Sequence, residues 1–206
     1  EYASLFGVLL PALSAHNVPF PLGGTSNHFR MAILKSLGAW DPFNVTEDAD
    51  LGLRLARAGY EMATLRSITH EEANTRLWNW MRQRARWLKG FLQTWLVHMR
   101  HPAEFFLEVG PAGFWAIQTM TMGVFLSALL HPFCLIAVAW HFAGGQGVAV
   151  PEDLTAVLFA GLCLLVLAAG YGVSMAAGIA GLRRLHIRGW WFAIATMPFY
   201  WLLMSV

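Results

Sequence analysis

Five consecutive residues, Gln83-Arg84-Ala85-Arg86-Trp87, bring an amide, two guanidiniums and an indole together. On a helix, Gln83, Arg86, Trp87 and Gly90 recur at i, i+3, i+4 and i+7 and share one face. Such a face offers a hydrogen-bonding amide, a guanidinium suited to phosphate oxygens and a flat indole on which a sugar ring stacks. Gly90 leaves room for a close approach to the backbone. An Arg-rich, Trp-containing helix is equally the composition of an interfacial membrane anchor, and these residues alone leave both readings open. Upstream, Thr46-Glu47-Asp48-Ala49-Asp50 opens an apolar run through Leu51, Leu53 and Leu55 that is closed by Gly59. Thr46 fits an N-cap, with Glu47 and Asp48 in the first turn, where free amides and the helix dipole favour negative charge. A carboxylate in that position is either a capping group or a base. The Gly23-Gly24 pair permits either a ligand's approach or a plain turn.

The elements that must position these residues follow from the pattern. Residues 1–15 suit a buried or interfacial helix, interrupted by Pro11 and too short to span a bilayer. His16–Leu22, with Pro19 and Pro21, reads as a strand or its edge running into the loop Gly23-Gly24-Thr25-Ser26-Asn27. Ser26 or Asn27 is placed to cap a helix from about His28 to Leu37, stopped by Gly38. Tyr60–Thr69 reads as a second strand, and a helix from about Thr75 to Met99 carries the opening motif together with Trp78, Trp80 and Trp95. Strand, helix, strand, helix predicts part of an α/β domain.

With 57% hydrophobic and 13% charged residues and a mean hydropathy of +0.49, the chain lies outside the soluble norm. Nearly all the charge precedes residue 110, so the expected division is a cytoplasmic domain over 1–110 and a transmembrane region over 111–206. Three apolar runs, about 114–140, 154–180 and 190–206, are each near the length that crosses a bilayer. Ala168, Gly172, Ala176 and Ala180 form a small-residue stripe suited to helix packing. The loop with Arg183, Arg184 and Arg188 is predicted cytoplasmic and the stretch His141–Asp153 outward-facing. A net charge of +2, with bases mixed among acids, argues against nucleic acid. Cys134 and Cys163 sit singly in apolar runs and are expected to be buried, without a disulfide or zinc site. The sequence opens on Glu1 without a signal peptide and stops inside an apolar run, as expected of a piece of a longer protein.

Read together, Thr46-Glu47-Asp48 and Gln83-x-x-Arg86-Trp87, 35 residues after Asp48 and ahead of apolar runs, resemble the processive inverting glycosyltransferases of family 2, the cellulose synthase-like bacterial exopolysaccharide synthases. The resemblance is closest over about residues 17–101. It implies the C-terminal half of an α/β nucleotide-sugar glycosyltransferase domain of the GT-A type, followed by an α-helical transmembrane region of a bacterial cytoplasmic membrane with the active site on the cytoplasmic side. It implies Asp48 as the catalytic base, Arg86 assisted by Gln83 on the leaving diphosphate, Trp87 on the acceptor sugar, and Thr46, Glu47, Gly23, Gly24 and Thr25 around the substrates. The implied partners are a nucleotide-sugar donor such as UDP-glucose, a growing polysaccharide and the lipid bilayer. Mg2+ or Mn2+ is implied as well, its Asp-x-Asp ligands expected upstream of this sequence; Asp48-Ala49-Asp50 has the spacing but not the place of that motif. The isolated chain is therefore expected to be inactive. A non-processive lipid-linked sugar transferase and a membrane transport component are the competing readings, the latter disfavoured because Gln118 and His131 are the only notable polar groups in the spans.

Overall fold

The computed structural model describes residues 1–65, 67–143 and 154–205. Its elements are α1 (Tyr2–Ala15, with a π turn over Leu5–Leu9), α2 (Met31–Ser36), α3 (Glu47–Arg57), α4 (Leu77–His98) and α5 (Pro102–Gln118). A second π turn, Thr119–Gly123, leads into α6 (Val124–Ala143), and α7 (Leu154–Arg184), α8 (Trp191–Ala195) and α9 (Met197–Leu203) follow. They divide into two compact units, Leu10–Ser127 on one side and Glu1–Leu9 with the described part of Ala128–Ser205 on the other.

The α/β expectation is overturned: the described residues contain helices and no strand. The reason is visible where the strands were expected. A strand needs a neighbour to complete its ladder. In His16–Leu22, Pro19 and Pro21 have no N–H to give, and Phe20 O and Leu22 N face Gly52 on α3, within about 3 Å of where a Cβ would stand. The described part of Tyr60–Thr69 is held by single contacts. Thr64 N donates to Ser14 Oγ at 3.1 Å, and the Ser26 and Thr69 hydroxyls meet at 2.6 Å.

In the first unit α3 is the central element. Leu51 and Leu55 join Leu34 of α2 in one apolar cluster, backed by Leu22, Ile33 and Met62. Leu53 joins Phe105 and Ile117 of α5 in another. Burying each such side chain stabilises the unit by roughly 1.5–3 kcal/mol. Arg54 ties the end of α2 to α3, donating to the Leu37 and Ala39 carbonyls at 2.6 and 2.7 Å. α2 starts later than expected, at Met31 after Arg30, and neither Ser26 nor Asn27 caps it. α5 bends at Gly110, whose φ of +69° breaks the helix ahead of Pro111.

In the second unit, the first nine residues lie against α7 through glycines. A Cβ at Gly181 would run into the Ala3 carbonyl, and one at Gly7 would meet Gly181 Cα at 3.4 Å. At Gly172, in the expected small-residue stripe, a Cβ would meet nothing within 4 Å among the described residues. His131 Nε2 and Tyr171 Oη lie 2.6 Å apart. Two stretches, Pro102–Cys134 (33 residues) and Gly161–Arg184 (24 residues), are long and apolar enough to cross a membrane. Leu130, Phe133, Leu162, Leu165 and Val166 stand exposed on them, as do Cys134 and Cys163, which were expected to be buried. The last apolar run is folded as the short helices α8 and α9. The predicted outward stretch falls mostly on residues 144–153, outside the described ones.

Candidate functional site

The two motif helices meet along a polar seam. The buried positions of α4 are Arg84, Gly90, Thr94 and His98, the last three four residues apart. Facing them are Asn44, Thr46 and Asp50, all buried at the start of α3. At the first step Gly90 abuts Thr46 so closely that a Cβ would lie 2.6 Å from Thr46 Oγ1 and 2.9 Å from Thr46 Cβ. One turn on, Asn44 Nδ2 donates to Thr94 Oγ1 at 2.8 Å and the Thr46 and Thr94 hydroxyls lie 3.3 Å apart. At the third step His98 Nε2 and Asp50 Oδ1 are 3.0 Å apart. Arg57 Nη1 approaches His98 Nδ1 at 3.4 Å, and a guanidinium can only donate, so the network selects the tautomer with the proton on Nε2.

This seam replaces the expected cap. Thr46 does occupy the N-cap of α3, but its hydroxyl does not bond the helix; its N–H donates to Asn44 Oδ1 at 3.0 Å. Asp50 is committed to the seam. Burial alone would push its carboxyl up, but hydrogen bonds from His98 and Arg54, the latter at 2.7 Å, hold it below the ordinary carboxylate range.

Asp48, two residues earlier, has the opposite setting. It is half-buried, Oδ1 accepts the Ala49 N–H at 2.8 Å, and Oδ2 faces the glycine loop, 3.2 Å from where a Cβ on Gly24 would stand. Burial raises its pKa; the Ala49 amide opposes this and the charge of Glu47 adds to it. The first-turn amide of Ala49 is thus outweighed by burial. A raised carboxylate is a stronger base once deprotonated.

The remaining expected residues fall into two groups. Gly24 is brought to Asp48, with Asn27 Nδ2 closing the loop onto the Gly23 carbonyl; Thr25 and Glu47 are exposed. Gln83, Arg86 and Trp87 lie on α4 toward its N-terminus from the Gly90 contact, about 10, 6 and 4.5 Å along the axis at 1.5 Å per residue. Gln83 Oε1 accepts from Asn74 at 2.9 Å, and Arg86 is exposed. Arg84, which the face argument passed over, is 4% exposed with its Cζ 4.4 Å from the Trp87 ring centroid and 5.5 Å from that of Trp80. The i, i+4, i+7 spacing of Trp80, Arg84 and Trp87 was the available signal. Trp95 donates from its indole to Gln118 at 2.6 Å.

For a divalent cation the residues do not fit. Asp50 is engaged by His98 and Arg54, and among the described residues no group of three His, Cys, Asp or Glu side chains could hold a metal ion.

Comparison with known proteins gives the family. The model of glycosyl transferase family group 2 matches residues 7–205, and the chain belongs to that family. It is similar to the probable glycosyltransferase YdaM of Bacillus subtilis (strain 168), at 34% identity over 68 residues. That alignment covers 32% of this chain and only 16% of the relative's length. No solved structure matches the chain.

Proposed function

We propose that the chain carries the acceptor-side machinery of an inverting, processive sugar transfer from a nucleotide-sugar donor, UDP-glucose or a relative, to a growing polysaccharide at a bacterial cytoplasmic membrane. The observation that carries this is the meeting of three segments distant in sequence. The Gly23-Gly24 loop lies on the carboxylate of Asp48, and the helix bearing Gln83, Arg86 and Trp87 is locked to the helix bearing Asp48. Membership of the family supports a donor and an acceptor as partners.

In this reading the Asp48 carboxylate takes the proton of the acceptor hydroxyl as that oxygen bonds to the anomeric carbon. The bond from the anomeric carbon to the diphosphate oxygen breaks, and the electron pair leaves with the nucleoside diphosphate. Arg86 and Gln83 stabilise the charge developing there, and Trp87 stacks on the terminal sugar. Thr46 and the seam behind it fix the base, while Glu47, Gly24 and Thr25 border the acceptor side. The divalent cation expected of this chemistry would screen the diphosphate. These residues do not supply its ligands.

The test is Asp48→Asn in the full-length protein. Losing the base lowers sugar transfer by about 10²–10⁴-fold with folding preserved; transfer at the parental rate removes Asp48 from the mechanism. Mass analysis of the product separates this reading from a lipid-linked transferase adding one sugar, and absence of any transfer with export intact would favour a transport component.

A further inference from the structure

We propose that Asn74 is a positioning residue for the leaving diphosphate: by donating to the oxygen of the Gln83 amide, it turns the N–H end of that amide toward the phosphate oxygens. The inference rests on the reading of Gln83 given above and adds a residue to it.

Asn74 belongs to the connection that leads into α4. Residues 67–76 carry no helix and are exposed, yet side chains tie them back to the site. At Thr69 the hydroxyl meets that of Ser26 at 2.6 Å, in the loop whose Gly24 lies on Asp48. Ser26 is held there with φ at +57°, a left-handed conformation that a serine adopts at some cost. Nearer the helix, Asn74 Nδ2 donates to Gln83 Oε1 at 2.9 Å, across the start of α4 at Leu77. The connection is thus pinned to the acceptor side of the site at Thr69 and to its diphosphate side at Asn74.

A carboxamide has an acceptor end and a donor end of nearly the same shape, and the last torsion of a glutamine is broad and roughly two-fold. Phosphate oxygens only accept. A Gln83 amide that turns its oxygen to the diphosphate therefore repels it, and one that turns its N–H groups there stabilises it. Asn74 biases that choice. Its own N–H group occupies Gln83 Oε1, so Gln83 cannot turn over alone without setting N–H against N–H. Gln83 and Arg86, about one turn apart on one face of α4, then both present donors to the leaving group. Asn74 acts on the diphosphate through Gln83, and its removal should change turnover of the donor rather than the fold.

The test compares Asn74→Ala, Asn74→Asp, Gln83→Ala and the double variant of Asn74→Asp with Gln83→Ala in the full-length membrane protein, reading kcat and KM for UDP-glucose and the thermal midpoint. Asn74→Ala frees the amide to turn and should lower kcat/KM about threefold, the net size of an ordinary hydrogen bond. Asn74→Asp keeps the shape but can only accept, so it draws the Gln83 N–H groups to itself and turns the oxygen to the diphosphate. Its loss should reach about tenfold or more, the size of a hydrogen bond to a charged group. Both midpoints should stay near the parent's, because the contact is exposed. A side chain that merely props the connection would give the reverse order, with the isosteric aspartate the milder change; that order, or parental rates in both variants, overturns the inference. With Gln83→Ala already present, Asn74→Asp should add almost nothing. An undiminished loss there would mean that the new charge repels the donor directly, and would overturn the positioning role alone. If Gln83→Ala does not fold, Gln83→Met takes its place. Parental transfer without the Gln83 amide would overturn the reading of Gln83 itself, and with it this inference.

Discussion

Replacing Gly90 by alanine is the sharpest perturbation of the site, because it adds one methyl group at the point where the two motif helices touch. The new Cβ would stand 2.6 Å from Thr46 Oγ1 and 2.9 Å from Thr46 Cβ, where carbon contacts are comfortable only at about 3.5–4.0 Å. Thr46 has little room to yield. Its χ1 is stiff because it is β-branched, its hydroxyl lies 3.3 Å from Thr94 Oγ1, and its N–H is held by Asn44. The helices must therefore part by about an ångström, and such overpacking costs about 1–3 kcal/mol. Alanine returns about 1 kcal/mol through its better helix propensity. The net is a loss of up to about 2 kcal/mol, or a midpoint up to about 8 °C lower for a chain of this size. The larger effect should fall on transfer, since a shift of about 1 Å between Asp48 and the Gln83–Trp87 face lowers the rate about a hundredfold. Thermal unfolding and initial-rate assays on Gly90→Ala, Thr46→Ser and the double variant provide the measurement. Thr46→Ser removes the methyl that faces Gly90 most closely, so the double variant should recover part of the stability lost by Gly90→Ala. A stabilised, fully active Gly90→Ala, or strictly additive losses in the double variant, would show that the helices do not meet in this register.

Gly24→Ala places a methyl 3.2 Å from Asp48 Oδ2 in an exposed loop, and should lower kcat with the midpoint moved by less than about 0.5 kcal/mol, as initial rates and unfolding will report. If Asp48 is the base it works ionised, and its pKa is raised above the ordinary 3.8, so kcat/KM should rise with pH along an acid limb centred above 3.8; a flat acid side would contradict the assignment. The carboxyl of Asp50 has its folded pKa below 3.8, so its contribution to stability is fully present above 3.8 and is lost as pH falls through that lower value; Asp50→Asn should flatten this acid limb in an unfolding series. Asp50→Ala leaves the buried His98 without its acceptor and Arg54 with only the Leu37 and Ala39 carbonyls, and should destabilise by about 1–3 kcal/mol, measured by denaturant unfolding.

What could be read from the sequence and what could not divide along one physical line. Apolar spacing and start and stop residues were enough for α3 and α4, observed over Glu47–Arg57 and Leu77–His98 against expected starts near Thr46 and Thr75. They were enough, too, for two long apolar helices. The strands failed because extended-looking composition describes a single segment, whereas a strand is a property of a pair; Phe20 and Leu22 turn their backbone groups to Gly52 on α3 instead. The helix face drawn through Gln83, Arg86, Trp87 and Gly90 left room at Gly90 for a close approach to the backbone, and what approaches there is Thr46 of the seam.

The seam itself was hidden because it inverts the usual pattern: the positions α4 buries are Arg84, Gly90, Thr94 and His98, none of them an apolar residue that hydrophobic periodicity would select. Polar burial of this kind is tolerated only where partners are fixed, and here each step has one: Thr46 opposite Gly90, Asn44 opposite Thr94, Asp50 opposite His98. An apolar seam would tolerate sliding by a turn with modest loss, since one leucine resembles another. A seam of hydrogen bonds does not, because a slip of one turn separates Asp50 from His98 and Asn44 from Thr94 and costs each of these buried groups its partner across the seam. The same residues that defeat an apolar reading of α4 therefore supply what a site divided between two helices requires, a single register between Asp48 on one and Gln83, Arg86 and Trp87 on the other.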